Sequence, residues 1–490
     1  MSNLPELGVG IVYVSGLEPL LESGGSPVDV LEVEPQTLWH YRPKNKPAYS
    51  FPSDAIQHLN TFPQRKIVHS IGFAVGGSQQ PDSDFLSALA NSVECLGAPW
   101  ASEHLSFTSA RGSQGNFHAG FMLPGAQTPE GIALAVRNIR TFANHLSVPF
   151  AVETAVNYLQ PRQGELSDGE YVARVVNEAD CGILLDLHNI WTNEQNGRQR
   201  VDEFLSTIPL ERVWEIHLGG GREYQGYWLD AHSGAVPKDV MALTEDVVPR
   251  LPNLKAIIFE IFPTFVPIVG LDVIGQELEN IQAIWRRRLQ HRDEMGSDAS
   301  VGFTPTDVKE KEVEGFATSP AIWERTLGEL VTRGESTSPL ADQLEKDPGV
   351  PLIRELVWKF RAGAIVNVLN WASTLIMLQC GDEFFEKQLD RYFKSTSPQP
   401  FASEEAGCFI QYLRTQDLDL PYLQEILDFE EAAMAALLTK ETQVIRARHN
   451  LHALLNALAD GQIPHDLEEG SYEIEIPPND EVTSNVKICT

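Results

Sequence analysis

The sequence predicts a (β/α)8 barrel followed by a mostly α-helical domain, an α/β architecture with an all-α appendage. Three observations carry this expectation. Up to about residue 290, eight short apolar runs alternate with amphipathic helical stretches. In CGILLDLHNIWTN, from Cys181, the apolar run Ile183-Leu184-Leu185 ends abruptly in Asp186, His188 and Asn189. A continuous apolar run bounded by Gly182 and by polar residues marks a strand buried on both faces. Beyond about residue 319, strand-like runs give way to helical periodicity.

In chain order, strands are expected at GVGIVYV from Gly8, VDVLEVE from Val28, KIVHSIG from Lys66 and APWASEH from Ala98. Four more are expected at PFAVET from Pro149, CGILLDL from Cys181, RVWEIHL from Arg212 and KAIIFEI from Lys255. The helices between them include Asp84–Leu96, Pro129–Leu146, Asp168–Ala179 and Leu271–Leu289, with Asp82, Thr128 and Ser167 as N-caps. The first crossover holds only the short helix Leu17–Glu22. A stretch poor in apolar periodicity, 291–318, reads as a linker. Helices are then expected at Pro320–Thr332, Pro351–Leu378, Asp382–Phe393, Glu404–Arg414, Leu420–Leu438 and Glu441–Leu458. The expected domains are therefore a barrel at 1–290, a helical domain at 319–462, and a tail at 463–490 with one short strand.

The 490 residues suffice for more than one domain. Lys and Arg number 37 against 68 Asp and Glu, a formal net charge of -31, which repels phosphate backbones and argues against nucleic-acid binding. Cys95, Cys181, Cys380, Cys408 and Cys489 lack C-x-x-C spacing, so neither a disulfide framework nor a cysteine zinc site is expected. MSNLPELGVG has no signal-peptide pattern, and no apolar run is long enough to span a bilayer, so a cytoplasmic protein is expected.

The active site of such a barrel lies at the C-terminal ends of its strands. The polar tips of strands three to eight are His69, His104, Glu153, Asp186, His217 and Glu260. Asp230 and His232 come later, in the loop after strand seven, spaced to face one way in extended chain. One such residue is ordinarily a satisfied core histidine or a solvated loop charge; six in phase are not explained that way. Mixed imidazole and carboxylate donors suit Fe, Mn, Zn or Co. Eight donors are too many for one ion, so Glu153 and Glu260 are expected to bridge two or three; the competing reading is one metal with the remaining groups around it.

Seven segments share one known family's order: HSIGFAVGG, SEHLSFTS, VETAVNYL, CGILLDLHNI, EIHLGGG, LDAHSGAVP and IFEIF. They resemble the multinuclear non-heme iron-dependent oxidative enzymes, among them the methanobactin-biosynthesis oxygenase, over about residues 7–290. The resemblance implies a TIM barrel with two or three irons in mixed Fe(II)/Fe(III) states and O2 as co-substrate. It implies oxidation of a residue, often cysteine, in a ribosomally made precursor peptide. By position, His69, His104, Glu153 and Glu260 would hold one iron, and Glu153, Asp186, His217 and Glu260 a second. Asn189, Asp230 and His232 would make a third, more labile site, with Glu153, Asp186 and Glu260 as the catalytic carboxylates.

The chain departs from the family pattern in three places. Glu153-Thr154 stands for Glu-Asn, and Asp186-Leu187-His188-Asn189 for Asp-Val-Asn-Asn. Glu34-Pro35-Gln36 stands for an acid-Asn pair that comes after His-Pro. The ligand positions are kept while pocket-lining groups differ. The helical half, in FRAGAIVNVLNWASTLIMLQCGDEFFEKQLDRYF, SPQPFASEEAGCFIQYL and LPYLQEILDFEEAAMAAL, is similar to the partner proteins that bind the precursor's leader. Fusion implies that no separate partner is needed, although most of its aromatics, such as Phe384, Phe385, Tyr392 and Tyr422, also fit ordinary helix packing. Three other classes remain open: a three-zinc barrel endonuclease, which the charge opposes; a divalent-metal sugar isomerase, which lacks a strand-end Lys here; and a non-enzymatic peptide-binding scaffold.

Overall fold

A computed structural model describes residues 4–22, 25–43, 45–112, 115–295, 318–464, 466–478 and 487–489. Eight parallel strands close a barrel: β1 (Gly8–Val12), β2 (Val30–Val33), β3 (Arg65–Ser70), β4 (Ala101–His104), β5 (Phe150–Glu153), β6 (Gly182–Asp186), β7 (Val213–Gly219) and β8 (Ala256–Glu260). Neighbours around the barrel are neighbours in sequence, and β1 pairs with both β2 and β8. All eight runs read from the sequence are these strands. Their apolar residues are buried between the barrel interior and the surrounding helices, whose inward stripes include Leu86, Leu89, Ile139, Phe142, Val175, Ile274 and Leu278. Burying a large apolar side chain contributes about 1.5–3 kcal/mol, and near-continuous apolar strands supply many such terms.

The expected N-caps form. Asp82 accepts from the Phe85 amide, Thr128 from Gly131, and Ser167 with Glu170 makes a reciprocal capping box. Hairpins in the loops that were not expected from sequence include Phe107–Gly112 with Gly115–Leu123 after β4, and Gly221–Tyr224 with Tyr227–Asp230 after β7. The second turns at Gln225-Gly226, both at positive φ (51° and 81°), the geometry that suits a two-residue hairpin loop. The last barrel helix runs Leu271–Met295, further than its apolar periodicity indicated.

Beyond the barrel the described chain is largely helical. The stretch Pro351–Leu378 is two helices, Gly349–Val368 and Asn370–Cys380, bent by 104°. Glu430 accepts from the Trp371 and Ala372 amides at the start of the second; burial pushes its pKa up to about 8. Together the pair has the length and composition of a bent membrane span, but Ile365, Leu369, Ala372, Leu375 and Ile376 lie in a hydrophobic core. Among the described residues no single helix is long and apolar enough to cross a membrane. The expected helix Glu441–Leu458 is corrected: Gln443–His449 is a strand antiparallel to Glu469–Ile476, and the helix is Leu451–Ala459. In QVIRARH, Ile445 and Ala447 alternate with the exposed Arg446 and Arg448, and the Asn450 side chain caps the next helix. Residues 296–317 of the expected linker, and 465, 479–486 and 490 of the tail, lie outside the described residues.

The chain divides into two compact units, Met1–Gly115 with Met122–Leu327 and Thr337–Leu352, and Asn116–Phe121 with Gly328–Ser336 and Ile353–Thr490. The first therefore includes segments that lie beyond the expected linker. The Trp323 indole donates to Pro124 O (2.9 Å) and lies under the Arg162 guanidinium (4.7 Å). Asp347 accepts from the Gln160 amide (3.1 Å) and from Arg162 (3.4 Å). Glu324 accepts from the Ser78 amide (2.8 Å) and from its hydroxyl.

Burial pushes the Glu324 pKa up to about 7. Between its unfolded value near 4.5 and 7 the folded chain holds a proton that the unfolded chain has lost, so this group erodes stability as pH rises through that window. Glu324→Gln removes the titration. Its unfolding midpoint relative to wild type should therefore be higher at pH 8 than at pH 5, by an effect on the order of 3 kcal/mol. Equal differences at both pH values would contradict this.

Candidate metal centre

The register of the barrel sets the site. Neighbouring strands pair His104 with Glu153, Leu184 with Glu153, Asp186 with His217, and Gly219 with Glu260. Side chains at the ends of β4 to β8 therefore meet at one mouth, joined by His69 from β3. Glu153, Asp186, His217 and Glu260 are buried, as is His69; His104 is partly buried.

The distances are short and converge on a few carboxylates. Glu153 Oε2 lies 3.1 Å from His69 Nε2 and 2.9 Å from His104 Nε2. Glu153 Oε1 lies 3.8 Å from His217 Nδ1, and Glu260 Oε1 3.2 Å from that same nitrogen. Glu260 Oε2 lies 3.4 Å from His232 Nε2, which is 2.9 Å from Asp230 Oδ1. Close as they are, Glu153 Oε2, Asp186 Oδ2, Asn189 Oδ1, His217 Nδ1, His232 Nε2 and Glu260 Oε2 have no well-aligned hydrogen-bond partner among the described residues. Unpaired donor atoms gathered in groups within 4.8 Å of one another are what coordination requires. Two donors about 2.1 Å from one metal at a right angle sit about 3 Å apart, the spacing seen here.

Charge gives the same answer. Leaving carboxylates buried and unpaired is costly, so a cluster of them needs compensating cations or protons. Burial, then Asp230, Glu260 and Glu153, push Asp186 well above the carboxylate range. Burial pulls His217 down, but Glu260 and Glu32 carry it well above its usual value. His232 likewise resists burial and is carried to about 10 by Asp230 and Glu260. Burial opposes ionisation of Glu153, yet His104 and His69 hold it well below the carboxylate range. The excess acidity draws protons onto imidazoles and onto Asp186; metal ions meet the same demand.

Four groupings of three donors could each hold an ion: His69, His104 and Glu153; Glu153, Asp186 and His217; Glu32, His217 and Glu260; and Asp186, His232 and Glu260. Glu153, Asp186, His217 and Glu260 are each shared between two of these, as a multinuclear centre requires. Among the described residues Glu260 is grouped with His217 and with His232, while the His69–His104 grouping is completed by Glu153. Asp230 approaches His232, while Asn189 approaches Asp186, whose Oδ1 accepts from the Asn189 amide (2.9 Å). His232 takes φ 42°, a left-handed conformation rare outside glycine and concentrated at functional sites.

Several neighbours were not read from the sequence, which pointed to strand tips and to the loops that follow them. Glu32 on β2 faces His217 Nε2 at 3.1 Å. Glu103 accepts from the His104 ring nitrogen Nδ1 (3.2 Å), the Ser70 hydroxyl (2.7 Å) and the Phe73 amide (3.1 Å). Ser102 contacts His69 Nδ1 (2.9 Å), and Glu215 accepts from the Trp100 indole (2.8 Å). Orienting groups of this kind fix which ring nitrogen faces the metal. The period of two was the available signal for Glu215, because it shares a strand face with His217.

Comparison with known proteins places the chain. A family model described as RiPP precursor modification enzyme MbnB/TglH/ChrH matches residues 9–286. A UPF0276 protein of Streptomyces avermitilis is 30% identical over 187 residues, 38% of this chain and 38% of that one. One from Anaeromyxobacter sp. is 28% identical over 39% of this chain and 66% of its own length, so the match spans less than two thirds of these two relatives. A UPF0276 protein of Neisseria meningitidis serogroup B is 30% identical over 44% of this chain and 76% of that one. A xylose isomerase-like TIM barrel protein from Mycobacterium smegmatis, solved with magnesium, aligns with 59% of this chain and 98% of its own at 12% identity and TM-score 0.38. With the family model covering more than half of its residues and the barrel closed as described, the chain belongs to the MbnB/TglH/ChrH family of RiPP precursor modification enzymes.

Proposed function

We propose that the chain oxidises a residue, cysteine favoured, in a ribosomally synthesised precursor peptide in the cytoplasm, using two or three iron ions and O2. The observation that carries this reading is the set of buried, unpartnered nitrogen and oxygen donors that converge around shared carboxylates. The donors contain no thiolate, which favours a borderline metal such as iron. His69, His104 and Glu153 would hold one ion, without the Glu260 that the resemblance also gave it; Glu153, Asp186, His217 and Glu260 would hold a second; Asn189, Asp230 and His232 would complete a third position. When bound, the irons supply O2 reduction and a docking point for an anionic group such as a thiolate. The chain's own side chains orient and insulate that centre. Glu103 takes the ring N–H of His104 and Glu32 that of His217, leaving the opposite nitrogens to face the metals. The helical C-terminal domain, read from the sequence as beginning near 319 but forming its own compact unit mainly from Ile353 onward, binds the precursor's leader, so no separate partner protein is required.

Metal analysis of protein purified without added metal, joined to O2 uptake with a precursor peptide, tests this. Two or more irons per chain and O2-dependent turnover are expected. Full activity under strict anaerobiosis, or with zinc in place of iron, would move the protein to the hydrolase or isomerase class.

A further inference from the structure

We propose that His188 is a positioning residue for the Asp230–His232 end of the metal centre, held in one tautomer by the Trp228 indole. The inference rests on the metal reading above and adds to it the side chains that fix one position of the centre.

His188 lies in the first turn of the Leu187–Gln195 helix and is fully buried. It faces the hairpin after β7, and three residues tie that hairpin to the helix. Asn196, the helix C-cap, donates its amide to Trp228 O (2.9 Å) and accepts from Trp228 N (2.9 Å), so it satisfies both backbone groups of one residue. Trp191 packs edge-on against Trp228, ring centres 5.1 Å apart at 86°. His188 makes the third connection, with Nε2 3.0 Å from Trp228 Nε1 and Nδ1 3.0 Å from Asp230 Oδ1.

An indole N–H can only donate. His188 Nε2 therefore accepts and carries no proton, and the ring proton sits on Nδ1, where it is donated to Asp230. Asp230 is held at its other end too, since its backbone amide donates to the Tyr158 hydroxyl (3.1 Å). Space for the relay comes from Gly221: a Cβ there would fall 2.3 Å from Trp228 Nε1 and 2.7 Å from His188 Nε2. A buried histidine is ordinarily just a satisfied core residue. Here the hydrogen bond goes to a carboxylate oxygen that is also 2.9 Å from His232 Nε2, which has no well-aligned hydrogen-bond partner among the described residues. His188 thus fixes where Asp230 presents that oxygen.

The test uses the full-length chain, reconstituted anaerobically with Fe(II), with iron bound per chain and its affinity as readouts. His188→Leu removes the donor, and the weakest-bound ion should lose about 10–100-fold in affinity while the others stay. His188→Asn keeps a donor near the place of Nδ1 and should retain that ion. Trp228→Phe releases the tautomer and should weaken the same ion. The double variant His188→Leu/Trp228→Phe should be no worse than His188→Leu, because Trp228 acts through His188. The proposal is overturned if His188→Leu binds every ion as wild type does, if His188→Asn loses as much as His188→Leu, or if the two single effects add. A wild-type chain that takes up no metal overturns the metal reading and this inference with it. A wild type with two or more ions beside an unaffected His188→Leu overturns this inference alone.

Discussion

Glu153→Ala is expected to lose more than one metal ion per chain and to reduce turnover by on the order of 10³-fold or more, several kcal/mol of barrier. The physical reason is sharing. Glu153 Oε2 faces His69 and His104, while Glu153 Oε1 faces His217, so one side chain serves two donor groups. The fold should survive, because the residue ends β5 at the barrel mouth and does not lie within the packed layers beneath. Removing the carboxylate also leaves fewer negative charges to stabilise protonated His69 and His104. Their pKa values should fall, and histidine-selective NMR of the metal-free variant can track that. Iron content equal to wild type by elemental analysis, with undiminished turnover, would remove Glu153 from the centre.

Two truncations should separate what the sequence joins. Ending the chain near Ser319 should destabilise the barrel severely, although the cut falls at the edge of the segment read as a linker. Trp323 is buried, bonded to Pro124 O and covered by Arg162, and losing a buried Trp side chain typically costs about 3–5 kcal/mol. The cut also strips Glu324 from Ser78 and Asp347 from Gln160 and Arg162, leaving their partners unsatisfied. Ending the chain after Leu352 keeps those contacts. That product should stay folded and load iron, while its affinity for the precursor collapses if the helical domain binds the leader. Adding that domain back in trans should restore turnover only toward millimolar concentrations, the effective concentration a short tether provides. Thermal unfolding of both products and calorimetry with the precursor decide it. A Ser319 product as stable as the full chain contradicts the docking argument. Full precursor affinity in the Leu352 product contradicts leader binding by the remainder.

Legibility in the sequence differs by element. The eight barrel strands were readable because each is buried on both faces and so is a short apolar run, closed in strands three to eight by a polar tip. Asp82, Thr128 and Ser167 were readable as caps because capping is local chemistry within one turn. Gln443–His449 was misread because short runs with arginines and β-branched residues fit either period, and pairing with Glu469–Ile476 decided the outcome. The hairpin before Asp230 was missed because its strands are only four residues long and its turn signal is the weak dipeptide Gln225-Gly226.

By itself the sequence determined the barrel, the helical character of much of the chain beyond it, and a ring of histidines and carboxylates at the ends of consecutive strands. These come from hydrophobic periodicity and from the rule that a barrel's chemistry gathers at one end. Only the tertiary structure decided which donors adjoin. Barrel closure and register set Glu153 beside His104 and Asp186 beside His217, and directed Glu32 inward to His217, which no strand-tip pattern encodes. It also decided that Trp323 and Asp347, beyond the expected linker, pack with the barrel, and that His188 meets Asp230 across 42 residues of sequence. Contacts between residues remote in sequence depend on how elements dock, and docking is fixed by the summed packing of the whole core, not by any local pattern.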